Sequence, residues 1–275
     1  MALDKGKQFE YAIMRAAYSK LPSPLEGIVK ATYDAIMRNT NNGVLISADV
    51  DKAAHERLES IEPFTNKEQF YSSFRQLGGG AGGGGEPKTD VLFIKNGEKY
   101  KCSMKWGASY QLSSAGVQKT STVLNLILAQ CKSQSMSTIP IEEIALFLYE
   151  LENSLGVLPK KGEQAAMKRS LEQNLHLKYK FEQILGSRKS PIVADSYKLF
   201  KDLVVRESLT GELSFGKTND KAANYILNEK ELKPIDDKLV REISDLTYVR
   251  LRLKGRGKTS TGIRLNELVV TIEPK

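Results

Sequence analysis

Through the first quarter of the chain, apolar positions return at helical spacing. Phe9, Ile13 and Ala16 repeat along a segment from Leu3 to about Lys20, which predicts a helix. After the Pro22–Pro24 break a second helix is expected over Leu25–Arg38, then others over Asp49–Ile61 and Asn66–Leu77. Residues Gly78–Gly85 contain seven glycines and hold no regular pattern, so they read as a linker or loop. The pattern then changes period. Thr89–Lys95 and Glu98–Trp106 alternate about Asn96-Gly97, a dipeptide suited to a tight hairpin because both turn positions need positive φ.

Helical spacing resumes over Ala115–Lys132. Pro140 opens a further helix whose residues Ile141, Ile144, Leu148 and Leu151 share a face, and Gly156 ends it. Glu163–Leu185 closes at Gly186 in the same way. Ser190 is read as the N-cap of a helix that begins at Pro191 and runs to about Glu207. Two late strands, about Thr247–Lys254 and Gly262–Ile272, flank a basic glycine-containing loop. These elements predict a mixed α+β or α/β, helix-rich fold with a small central sheet. They are expected in a single domain, with a helical insertion at about 133–207 and basic C-terminal strands at 245–275.

Composition narrows the function. The chain has 275 residues, 40% hydrophobic and 27% charged, enough for a sizeable core. No apolar run is long enough for a transmembrane helix, and no signal-peptide core is legible. Cys102 and Cys131 lack CxxC partners, so neither a disulfide framework nor a zinc site is expected. His55 and His176 stand apart, which leaves no Ser–His or Cys–His set. The net charge of +8 favours polyanions, since each neutralised phosphate releases counterions. From Asp245 to Lys275, seven Lys/Arg against three Asp/Glu leave +4, half of the surplus.

The two-residue turn fixes the hairpin register. Lys95 faces Glu98, and counting outward sets Asp90 opposite Ser103. Alternation then puts Asp90, Leu92, Ile94, Lys99, Lys101, Ser103 and Lys105 on one face. Val91, Phe93, Tyr100, Cys102, Met104 and Trp106 form an apolar set on the other. Asp90 and Lys105 are diagonal neighbours, with Cβ atoms expected roughly 7–8 Å apart. A carboxylate and an ammonium can therefore serve one site.

The run Glu86-Pro87-Lys88-Thr89-Asp90-Val91, followed across the turn by Ser103-Met104-Lys105 and then Gln111, resembles the PD-(D/E)XK nuclease superfamily. That family carries an aspartate on one strand and an acid-x-lysine on the next. It often adds a glutamate from a preceding helix and a polar residue after the lysine. Lys7-Gln8-Phe9-Glu10 looks like the helix motif. The resemblance implies a restriction-endonuclease-like core that hydrolyses DNA phosphodiesters with Mg²⁺ or Mn²⁺. Asp90 and Glu10, with Glu86 as a further candidate, would be metal ligands; Lys105 would be catalytic and Gln111 supporting. Mg²⁺ needs only one or two protein carboxylates. The chain departs from the family at Ser103, which stands where the second strand acid is usual, so an inactive, DNA-binding version of the same core is an alternative.

Lys88 and Lys101 near the hairpin are expected to meet DNA. So are Arg250, Arg252, Lys254, Arg256 and Lys258 in the tail, where the strand alternates basic with apolar residues and Arg264 extends the charge. Such phosphate contacts position a duplex without reading its bases; the plainer alternative is a basic edge strand that discourages aggregation. Gly211-Glu-Leu-Ser-Phe-Gly216-Lys217-Thr218 matches the phosphate-cradling GxxxxGK[ST] pattern, which makes an NTP-binding protein a second alternative. That motif requires a strand before it and a helix opening at Lys217. The expected partner is double-stranded DNA rather than a membrane, with a homodimer left open. The resemblance places the protein in the cytoplasm of a bacterial or phage-infected cell, and Glu207 is a further acid whose place the sequence leaves open.

Overall fold

The hairpin forms as the turn dictates. Asn96 and Gly97 take φ of 52° and 79°, and β2 (Val91–Lys95) pairs antiparallel with β3 (Glu98–Lys105), Lys95 opposite Glu98 and Val91 opposite Cys102. The computed structural model describes residues 5–41, 46–63, 66–77, 87–107, 110–134, 139–155, 175–259 and 262–274. The chain is mixed α/β and divides into two compact units, Met1–Ala108 with Thr210–Ile235, and Ser109–Leu209 with Asp236–Lys275. The expected helical insertion at about 133–207 and the basic strands at 245–275 both fall in the second unit.

In the first unit, helices α1 (Lys5–Ser19), α2 (Gly27–Asn41), α3 (Ala48–Ile61) and α4 (Lys67–Ser72) accompany a five-stranded sheet. Its order is β1 (Arg75–Gln76), β2, β3, β5 (Tyr225–Asn228), β6 (Leu232–Pro234), and β3 and β5 run parallel. The apolar face read from alternation is the core face: Val91, Phe93, Cys102 and Met104 cluster with Phe9, Ile13 and Met14 of α1 and with Val50, Ala54 and Leu58 of α3. Phe74, Phe93 and Tyr100 stack in sequence, with centroids 4.8 and 5.1 Å apart. Buried aromatics dominate core energetics through area and ring geometry alike.

The segment expected as one helix over Asn66–Leu77 is a short helix followed by a strand. Asn66 caps α4 by accepting from Gln69 N–H at 3.0 Å. At the other end the Ser73 hydroxyl donates to Phe70 O and accepts Ile94 N–H at 2.8 Å. That contact with β2 is nonlocal, and it turns the chain from helix into β1.

The second unit holds a three-stranded antiparallel sheet, β4 (Tyr110–Gly116), β8 (Gly262–Pro274) and β7 (Thr247–Thr259), in that order. With it go α5 (Val117–Gln134), α6 (Ile141–Leu155), α7 (Leu175–Leu185), α8 (Asp195–Thr210) and α10 (Asp237–Leu246); α9 (Glu212–Phe215) belongs to the first unit. Ile144, Leu148 and Leu151 of α6 are buried with Phe147, as the spacing predicts. The helix expected from Ala115 begins at Val117 instead, because Ser113–Gly116 pair with Val270–Glu267 of β8. The expected start at Pro191 is also displaced to Asp195. Ser190 O accepts Ser187 N–H at 2.9 Å, so a local turn takes the carbonyl that an N-cap would give to its helix. Of the helix expected over Glu163–Leu185, residues 163–174 lie outside the described residues, as does the glycine run from 78 to 85. Both late strands are longer than their apolar alternation suggests. Among the described residues, no helix is long and apolar enough to cross a membrane.

Candidate active site

Asp90 and Lys105 meet as the register predicts. Lys105 Nζ lies 4.0 Å from Asp90 Oδ2, with each side chain 23% exposed. The aspartate is fixed by its backbone as well: Asp90 N–H donates to Cys102 O and Leu77 N–H donates to Asp90 O, both at 2.9 Å. Its side-chain Oδ2 accepts Met104 N–H at 2.7 Å. The carboxylate is therefore aimed by two neighbouring segments and remains open enough to meet solvent.

Helix α1 supplies the second acid. Glu10 follows the core residue Phe9, whose ring meets Trp106 edge-on at 5.7 Å, while Lys5 Nζ stands 5.2 Å over the Trp106 ring. These contacts tie α1 to the end of β3, directly after Lys105. Glu10 is 3% exposed. Lys7, one turn earlier, donates to Glu10 Oε1 and Oε2 at 2.8 and 2.6 Å, and Gln76 Nε2 of β1 donates to Oε1 at 2.5 Å. Burial pushes the Glu10 carboxyl above its ordinary range, and the negative charge of Asp90 adds to the push; Lys7 and Gln76 oppose it. The Lys7 ammonium is raised in turn, since the charges of Glu10, Tyr11 and Asp90 outweigh its desolvation.

Asp90 and Glu10 offer the hard oxygen donors that a divalent cation prefers. Two carboxylates act electrostatically on one another, and an ammonium already fills the place of a cation against both oxygens of Glu10. Mg²⁺ takes hard oxygen ligands and asks for one or two protein carboxylates, the rest coming from water and substrate phosphate. Ser103, where the family's second acid would stand, is 1% exposed, and its Oγ is buried without a hydrogen-bond partner among the described residues. Among the same residues no group of three His, Cys, Asp or Glu side chains gathers as a ready-made metal cage.

Other expected residues fare differently. Gln111 lies on β4 of the second unit, paired with Thr271, rather than in the unit of Asp90 and Lys105. Glu86 lies outside the described residues. Glu207 is buried on α8 of the second unit. Lys88 is half-buried in the first unit, with its Cγ 2.6 Å from where a side chain at Gly211 would begin. Arg250 is exposed and faces Glu273 at 3.5 Å. Arg252, Lys254, Arg256 and Lys258 occupy alternate positions along β7.

Two expectations are corrected. Lys101 is not a DNA contact on an open face: it is 7% exposed, and its Nζ donates to Lys217 O at 2.8 Å and Asn219 O at 3.0 Å. Burial accordingly lowers its pKa. Lys101→Met should leave DNA affinity unchanged and cost about 1–3 kcal/mol of stability, because two carbonyls lose their donor; a denaturant titration beside a binding titration reads both. The Gly216-Lys217-Thr218 segment is likewise no phosphate loop. It follows helices α8 and α9 instead of a strand, Lys217 and Thr218 lie in a turn, and the Lys217 carbonyl is held by Lys101.

The structure adds Lys7 and Gln76, which both donate to Glu10, to the residues that the sequence brings together. The i,i+3 spacing of Lys7 and Glu10 carries a signal for the first. Nothing in the local pattern marks Gln76, which reaches the site through β1.

The raised Glu10 pKa has a pH consequence. Its share of stability is fully present below the ordinary carboxyl pKa of 4.5 and is lost as pH rises through the folded value. A divalent cation held by Glu10 would favour the ionised form and reverse this preference. Mn²⁺ affinity should therefore fall on acidification through a midpoint above 4.5, and Glu10→Gln should flatten that dependence. Titration calorimetry across the acid range measures both.

Comparison of the chain with protein-family models, curated proteins and solved structures gives no match.

Proposed function

We propose that this chain is a Mg²⁺-dependent DNA endonuclease of the restriction-like kind. One observation carries the reading: Asp90, the residue before β2, lies 4.0 Å from Lys105 at the end of the neighbouring strand β3. The order of helix acid, strand acid and strand lysine is the one that the PD-(D/E)XK resemblance implies. The surplus of +8 suits a double-stranded DNA partner, and such a partner fits the cytoplasm of a bacterial or phage-infected cell.

In this reading Asp90 and Glu10 would hold Mg²⁺ (or Mn²⁺). The ion, when bound, supplies polarisation of the phosphoryl oxygen and lowers the pKa of a water. Lys105 orients the attacking water and offsets negative charge that grows on the phosphate. Lys7, which holds both oxygens of Glu10, would yield that carboxylate to the ion, and Gln76 would keep it aimed.

A second reading, a DNA-binding protein on the same core without cleavage, is favoured by the serine at position 103. Plasmid nicking in Mg²⁺ and in Mn²⁺ separates the two. The nuclease reading requires cleavage that EDTA stops. The binding reading requires duplex affinity, steeply salt-dependent, with no cleavage.

A further inference from the structure

The late strands of the second unit continue past the sheet that contains them. Strand β4 pairs with β8 from Tyr110 opposite Ile272 to Gly116 opposite Glu267. Strands β7 and β8 remain paired well beyond that point, through Gly255 opposite Leu265 and Arg256 opposite Arg264 to Thr259 opposite Gly262. Among the described residues the distal stretch is thus a ribbon of two strands. Its register shifts between Lys254 and Gly255 and again between Arg256 and Lys258, and such bulges add twist to a ribbon.

Between residues 255 and 266 the sequence has three basic residues, Arg256, Lys258 and Arg264, and no acid. Two of these cations, Arg256 and Arg264, are direct register partners. Like charges set opposite one another destabilise a strand pair, and a two-stranded ribbon is marginal by itself. A polyanion is the partner whose charge complements this basic stretch. Glycines at 255 and 257 keep this part of β7 narrow. The major groove of B-DNA admits a two-stranded ribbon. A single strand is the poorer fit, because no aromatic residue occurs from Val249 to Lys275 to stack on bases.

We propose that the distal β7–β8 ribbon is an arm that enters a groove of duplex DNA, with Arg256, Lys258 and Arg264 neutralising its phosphates. The inference rests on DNA being the partner and deepens that reading: the grip belongs to the second unit and the carboxylates to the first.

The test compares the full chain with the triple variant Arg256→Gln, Lys258→Gln, Arg264→Gln, by fluorescence anisotropy on a labelled duplex over a series of salt concentrations in EDTA. The wild type should bind duplex with a steep salt slope. The triple variant should show that slope reduced by about 0.9 for each phosphate that is no longer neutralised. The charge-keeping variant Arg256→Lys, Arg264→Lys should restore it. A second variant, in which an Asn-Gly turn joins Gly255 to Leu265, should bind like the triple variant. Equal melting temperatures show that the fold is intact in each case. Unchanged slope and affinity in the triple variant overturn the arm, as does a wild type that prefers single strands or anionic vesicles of phosphatidylserine and phosphatidylcholine to duplex. Nicking in Mg²⁺ is read separately. Arm-dependent binding without nicking removes the nuclease reading and leaves the arm, whereas nicking with an unaltered slope does the reverse.

Discussion

Asp90→Asn is expected to reduce Mg²⁺-dependent DNA cleavage by about a thousandfold. Metal assistance supplies several kcal/mol of transition-state stabilisation, and each 1.36 kcal/mol is about tenfold in rate. Asparagine is the informative replacement because Asp90 has two tasks. Its Oδ2 accepts Met104 N–H at 2.7 Å, and an amide oxygen can go on accepting that bond while the charge is removed. Alanine would remove the charge and orphan the N–H together, adding a folding cost of about 1–3 kcal/mol. Lys105→Ala should produce a comparable loss of cleavage with the metal affinity retained. Supercoiled plasmid nicking under single-turnover conditions, with Mn²⁺ titration alongside, separates the two roles. Cleavage by Asp90→Asn at the wild-type rate would remove the carboxylate from the mechanism.

Phe93→Ala is expected to cost about 3–5 kcal/mol of unfolding free energy. The ring is fully buried between Phe74 and Tyr100, and Phe70 meets it edge-on at 5.6 Å. Truncation empties the centre of the apolar face that seats β2 and β3 on the helices. The cost is both transfer and cavity, since a ring so enclosed leaves a void that its neighbours fill in part. Chemical denaturation should show a lower midpoint with an unchanged slope. Because Asp90 leads into β2 and Lys105 ends β3, the variant should also lose cleavage on warming sooner than the wild type. A change below about 1 kcal/mol would contradict the packing described.

The hairpin was legible because its information is local. Asn96-Gly97 sets the register, and the register sets which residues are diagonal neighbours. The inner face follows from alternation, and Glu10 follows from the resemblance of Lys7-Gln8-Phe9-Glu10 to the family's helix motif. Lys101 was misread for the opposite reason. Alternation places it correctly on the face of Asp90, but the segment that covers it, at Lys217 and Asn219, arrives more than a hundred residues later. The parallel strand β5 beside β3 was equally hidden, because four residues of ordinary composition become a strand through a distant neighbour. Gln76 reaches Glu10 only because Ser73 and β2 draw the chain out of α4. Helix α10 carries a local cue at its start: Asp236 accepts Leu239 N–H at 2.8 Å as an N-cap.

The most direct measurement is anomalous scattering from a crystal grown or soaked with Mn²⁺. Asp90 and Glu10 converging on one ion predicts a peak within coordination distance of both carboxylates, with Lys7 withdrawn from Glu10. A crystal that shows Mn²⁺ bound elsewhere, or Lys7 still seated on Glu10 at saturating Mn²⁺, would contradict that arrangement.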